Sequence, residues 1–289
     1  MWLQLALNAF SLGSFYALIA LGFSIIFGVT RALNLAHGEM MLVAGYLAYV
    51  LGNYWEIPFF WTLPACMLGL LFLAVLLRAL LQYLGEPYEL NSLVVTFGLA
   101  LVLQNGMLFL FSADYRMIRT AETPWTFPSA HITLTQLQAW LISLSLLATF
   151  FVFLLLQKTL LGKALRATIQ DREAASLAGI PVERMSVIAF ALGGLLIGLA
   201  GPLYGCTAYL HPWGGMEATL IAIVITIFAG VGRIRAILLG GWALGLVESL
   251  TVIFLGTNWR ELVSTLVLIS LLILRPGGLP RVSSRLSRP

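Results

Sequence analysis

The chain has 289 residues, of which 60% are hydrophobic and only 10% charged, with a formal net charge of +4. Soluble domains carry about 25% charged residues, so water alone cannot solvate this surface and lipid is the main solvent. The positive balance comes mostly from arginines gathered on one membrane face, which does not make the basic face of a soluble nucleic-acid binder.

Residues 1–30 hold no formal charge. A cleaved signal needs a basic start and a short apolar core. This stretch is therefore expected to be a first spanning helix that stays. Apolar runs of spanning type follow at about 40–55, 58–77, 91–111, 137–157, 186–207, 217–232, 236–256 and 260–274, after the first at 9–30. The second, seventh and ninth are short and are expected to be little tilted, re-entrant or partly broken. Eight or nine spans result. Nine keeps the basic residues alternating: with the N-terminus outside, 13 of the 16 face the cytoplasm and only Arg116, Arg119 and Arg260 face outward. That is a strong positive-inside bias.

A polar knot, Arg31-Ala32-Leu33-Asn34-Leu35-Ala36-His37-Gly38-Glu39, follows the first run. Asn34 and Gly38 permit tight turns, and Glu39 favours the start of the next helix. The external segments around Trp55 and Trp125 suit an interfacial belt. The long external loop 112–136 is expected either to cover helix ends or to rest on a partner. Asn91, Thr96, Gln104 and Asn105 put amides and a hydroxyl on one span, for interhelical bonding or for lining a polar conduit. Cys66 and Cys206 sit singly in apolar runs, and His37, His131 and His211 lack ligand spacing, so neither a disulfide nor a metal site is expected.

The longest polar interval is 162–181, Gly162 to Pro181. Its composition predicts one short cytoplasmic helix ending near Ala178, stopped by Gly179 and Pro181. Gly194, Gly198, Gly201 and Gly205, and then Gly241 and Gly245, recur at helical spacing and let helices approach closely, within the chain or between subunits. Gly28-Val29-Thr30-Arg31 is echoed by Gly230-Val231-Gly232-Arg233. Glu248 lies well inside its span, where a charge is costly, and requires a partner or water; it lines a pathway or is a bonded structural group. Glu217 and Glu261 fall near span ends.

The sequence holds no Gly-x-Ser-x-Gly, His-Glu-x-x-His or phosphate-cradling Gly-x-x-x-x-Gly-Lys-Ser/Thr motif. Any ATP used must bind another chain. No span carries paired carboxylates, which argues against an ion-coupled carrier and favours a neutral or zwitterionic solute.

Four stretches together resemble one family, the permeases of branched-chain amino-acid ABC importers. Tyr16 to Gly22, Ile26-Phe27-Gly28 and Asn34 to Glu39 resemble its first signature. Gly162 to Ala167 with Asp171 to Ala175 and Gly179-Ile180 resemble its cytoplasmic coupling segment, including the Glu173-Ala174-Ala175-x-x-x-Gly179 pattern. Leu239-Gly240-Gly241 with Gly245 to Ser249 resembles its late signature, and Leu274 to Leu279 its ending. The importer pattern's following Leu-Pro pair is absent, and Arg233 and Arg235 stand where small residues are usual.

The resemblance implies an all-α integral membrane protein, a type II-like ABC importer permease with about nine transmembrane helices and a cytoplasmic C-terminus. It implies one permease domain over 1–289, with a coupling segment at 158–185, in the bacterial inner membrane. It also implies a second homologous permease, two ATPase subunits that carry the ATP, and a periplasmic solute-binding protein. Lys163, Arg166, Asp171, Glu173, Ala174, Ala175 and Gly179 would then couple to the ATPase, with Ala174 and Ala175 as its contact face. Asn34, His37, Glu39 and Glu248 are candidates for the pathway. A urea or short-amide permease of the same family, an ATPase-independent carrier and a membrane enzyme are the alternatives. Co-purification with an ATPase separates the first two readings from the others.

Overall fold

The computed structural model describes residues 2–118, 125–127 and 132–274. Arg119, His131 and the resemblance at Arg275–Leu279 fall outside the described residues. The elements in order are α1 (Trp2–Thr30), α2 (His37–Asn53), α3 (Phe59–Leu81), α4 (Tyr88–Phe111), a two-stranded hairpin β1 (Trp125–Phe127) and β2 (Ile132–Leu134), α5 (Gln136–Lys158), α6 (Leu160–Gln170), α7 (Arg172–Leu177), α8 (Val182–Thr207), α9 (Gly215–Ala229), α10 (Ile234–Phe254), a 3-10 turn (Thr257–Trp259) and α11 (Arg260–Leu274). A helix lies at every apolar run read from the sequence. Among the described residues, α1, α3, α4, α5, α8 and α10 are each long and apolar enough to cross a membrane.

The bundle is built around α1. This helix is apolar on all sides, so it gains most by being enclosed rather than by facing lipid. Residues from Gly13 onward are almost all buried, with α10, α8, α9 and α5 packed around them. Close approach is made possible by glycine. A Cβ on Gly245 would stand 2.5 Å from the Ala9 carbonyl oxygen, and one on Gly241 would stand 2.6 Å from that of Gly13. On α8, Gly194 and Gly198 press against the α3 backbone at Leu70 and Met67, while Gly201 meets α2 and Gly205 meets Ile118. The glycine stripes of the sequence therefore pack helices of one chain together.

The link between α1 and α2 does not stay at the end of α1. Arg31 takes φ 59°, turning the chain back, and His37 Nε2 lies 3.2 Å from the carbonyl oxygen of Ile19. Ile19 is 11 residues before Thr30 (30 − 19), roughly 16 Å of helix. The segment 31–36 is thus re-entrant, and α2 starts at depth. Non-helical backbone at such depth must find partners inside the protein. Thr96 on α4 supplies them, accepting from Leu35 N at 3.1 Å and donating to Leu33 O at 2.8 Å. Thr219 on α9 accepts from Gly38 N at 2.8 Å. Thr96→Val is expected to lower stability by about 1–3 kcal/mol, the cost of a stranded buried peptide group. Thermal unfolding in detergent reads it, with Thr96→Ser close to wild type.

At the far end of the bundle, the loop after α4 covers the end of α8. Arg116 and Leu210 exchange backbone bonds at 2.9 and 2.7 Å, and Ile118 N donates to Gly205 O at 2.9 Å.

Candidate functional site

Two constellations of polar groups occupy opposite ends of α1. The first lies along its N-terminal half, in a cavity of about 500 Å³ formed with the ends of α8 and α10 and the starts of α5, α9 and α11. Asn8, Gln138, His211, Glu217, Glu248 and Arg260 are among its lining residues. Glu248 has a side chain only 1% exposed, against 40% for Arg260. The carboxylate accepts from Tyr16 OH at 2.9 Å and from Arg260 Nε at 2.6 Å. A second guanidinium nitrogen of Arg260 donates to Tyr16 OH at 3.1 Å. The requirement for a partner at Glu248 is met, and the partner is the arginine that the sequence placed outside. Gly256, at φ 92°, and the following 3-10 turn bring Arg260 back onto α10. That turn is the signal from which the pairing follows.

The other three pathway candidates do not line this cavity. Asn34 accepts from Ala36 N at 3.1 Å and shapes the turn before α2. His37 is fully buried against α1. Glu39, 3% exposed, lies against Gly215 and so at the positive end of α9 as well as in the first turn of α2. Together the three fasten the re-entrant segment, with Glu39 directly behind Gly215. Of the polar residues on α4, Thr96 bonds the re-entrant segment, Asn91 Nδ2 donates to Gly85 O at 2.8 Å, and Asn105 Nδ2 donates to Leu101 O at 2.8 Å within its own helix.

The second constellation is the polar interval at the other end. Here one helix was expected, and two are found. Asp171 breaks them: its extended backbone (φ −155°) closes α6, and its side chain accepts from Ala174 N at 3.0 Å, capping α7. A capping carboxylate competes with continued helix at its own position, and here it prevails over the helix-forming neighbours. Thr159 caps α6 in the same way, accepting from Gly162 N at 2.9 Å. Gly179 takes φ +82°, a conformation that suits glycine, and ends the unit.

The pair α6–α7 is tied to the bundle by charge and by packing. Glu183, at the start of α8, accepts from Arg172 of α7 at 2.6 Å and is also bonded by the buried Arg78 of α3. Arg172 further donates to the carbonyl oxygen of Val29, at the end of α1, at 3.4 Å. Ile169 of α6 fills the space left by Gly28 and Gly232, so the two echoed Gly-Val segments meet at one notch beneath the helix pair. Lys163, Glu173, Ala174 and Gly179 are exposed, and Arg166 is half-buried, donating to Gln157 Oε1 at 3.3 Å. Ala175 faces the other way, only 4% exposed, so the Ala174–Ala175 pair does not form one outward face. The large apolar side chain that α7 itself turns outward is Leu177, 86% exposed. Its spacing of three from Ala174 is the helical signal that marks it.

The family described as the permease component of the branched-chain amino acid transport system matches residues 5–272. The chain belongs to this family. The permease is 28% identical to the high-affinity branched-chain amino acid transport system permease protein LivH of Escherichia coli (strain K12), over 96% of this chain and 95% of that one. It is 25% identical to the corresponding permease protein BraD of Pseudomonas aeruginosa, over 96% and 95%. Among solved structures, PsaBC from Streptococcus pneumoniae in complex with Fab aligns with TM-score 0.51 and 12% identity, covering 93% of this chain and 91% of that one. That likeness concerns the fold.

Proposed function

We propose that this permease imports branched-chain or other small neutral amino acids as the membrane subunit of an ATP-driven importer. In this reading nine helices cross the bacterial inner membrane, with the N-terminus outside and α6–α7 in the cytoplasm. A periplasmic binding protein delivers solute to the cavity end. A second homologous permease completes the pathway, and two ATPase subunits, which carry the ATP, grip α6–α7. The observation that carries the proposal is the mechanical continuity between the two ends. Arg172 and Ile169 of the helix pair bear on the same α1 whose Tyr16 holds Glu248 in the cavity wall. A shift of the pair under ATPase closure then repacks the cavity, because packed elements move between discrete arrangements rather than deform smoothly.

The test is co-expression of the permease with its ATPase and solute-stimulated ATP hydrolysis in proteoliposomes. Gly179→Asp places a side chain at φ +82°, which costs about 1 kcal/mol or more for an L-residue. It is expected to leave the fold intact and to reduce solute-stimulated hydrolysis several-fold. Uptake by the permease without any ATPase would overturn the proposal.

A further inference from the structure

The arginines at 233 and 235 are used by neither constellation. They belong to a depression of about 630 Å³ beside the notch, formed by the end of α5, the middle of α6 and the start of α10. Four cations line it: Lys158, Arg166, Arg233 and Arg235. Among the described residues that line it, none is acidic. Lys158 and Arg235 are exposed and Arg166 and Arg233 half-buried. The Arg235 guanidinium lies 5.4 Å from the Phe153 ring centroid, so the cationic rim folds over an apolar wall. Four cations gathered at one membrane face raise the local concentration of anions.

What continues from the depression decides which anion. One turn deeper on the Phe153 face of α5 stands Phe150, and one turn deeper on the Arg235 face of α10 stands Leu239. They are 60% and 61% exposed. An anionic headgroup at the rim would place its acyl chains on these two side chains. An acidic protein segment would use the rim and leave the apolar track bare.

We infer that this depression is a binding site for an anionic phospholipid, the headgroup held by Lys158, Arg166, Arg233 and Arg235 and the chains lying along Phe150 and Leu239. The inference rests on the chain being embedded in a membrane and is independent of the solute it carries. Basic clusters at a membrane face contribute about 1 kcal/mol per Lys or Arg, about fivefold in affinity each.

The test is native mass spectrometry of the full chain in neutral detergent, offered equal amounts of phosphatidylglycerol and phosphatidylcholine. Wild type is expected to retain phosphatidylglycerol preferentially. Arg235→Gln should weaken retention about fivefold, and K158Q with R235Q about 30-fold. Arg235→Lys, which keeps the charge, should restore it, and Arg116→Gln at the opposite end should not affect it. Equal retention of the two lipids by wild type would overturn the inference. So would unchanged phosphatidylglycerol retention in the double variant, including the case where that variant instead loses a co-expressed ATPase, which would reassign the cations to a protein contact. Neither result depends on transport, so failure here leaves the proposed import function standing.

Discussion

Arg260→Met is expected to be the most damaging single change in the cavity wall. Among the described residues it leaves the buried Glu248 carboxylate with the Tyr16 hydroxyl as its hydrogen-bond partner. Removing one member of a buried ion pair costs about 3–5 kcal/mol. The lower end applies here, about 3 kcal/mol, because the Arg260 side chain is 40% exposed and water screens part of the interaction. The measurement is thermal unfolding of the purified chain. Glu248→Gln combined with Arg260→Met removes the charge along with its partner and should recover most of the loss. If the single variant is as stable as wild type, Glu248 is not held in place by Arg260. If the double variant is no better than the single one, the arginine acts through packing alone.

Leu177→Asp is expected to have the largest effect on coupling with no effect on folding. Leu177 is 86% exposed at the tip of α7 and contributes little to the chain's own core. In the proposed complex it enters the ATPase groove, and a central apolar anchor of an interface is worth about 2 kcal/mol or more. The affinity of the ATPase for the permease should therefore fall by about tenfold or more, while the melting temperature in detergent stays unchanged. Pull-down of the ATPase across a concentration series measures the first, and unfolding the second. Wild-type affinity in Leu177→Asp would remove this residue from the contact. Ala174→Asp, one turn earlier on the exposed side, should reproduce the defect in weaker form.

The helices were legible in the sequence because uninterrupted apolar runs of spanning length have few other solutions. Depth was legible only as the shortness of the second apolar run. The residues 31–36 have the composition of an ordinary polar connection, and the His37–Ile19 contact with the hydroxyls of Thr96 and Thr219, distant in sequence, reveals that it returns into the bundle. The break at Asp171 was hidden for a local reason. Alanine and arginine propensities on both sides favour one helix, and a single side chain reaching Ala174 N outweighs them. The partner of Glu248 was hidden by a turn: read as a straight succession of spans, Arg260 points away, whereas Gly256 and the 3-10 turn bring it back. The motifs at Asn34–Glu39 and Gly162–Gly179 did locate two centres of organisation. Which of their residues face inward and which outward only packing decides, as Ala175 and Leu177 show.

The re-entrant segment also has a consequence for biogenesis. Thr30 and Asn34 serve some of its peptide groups locally, but Leu33 O, Leu35 N and Leu35 O are bonded by hydroxyls of α4 and α9, so α1 and α2 entering the bilayer first leave these three groups without those partners. Unpaired backbone in hydrocarbon costs several kcal/mol per group. The nascent chain must therefore keep 31–36 hydrated, near the lipid surface, until Thr96 and finally Thr219 have been synthesised. Chains truncated before α9 would leave the Leu35 carbonyl and the Gly38 N–H without the Thr219 hydroxyl.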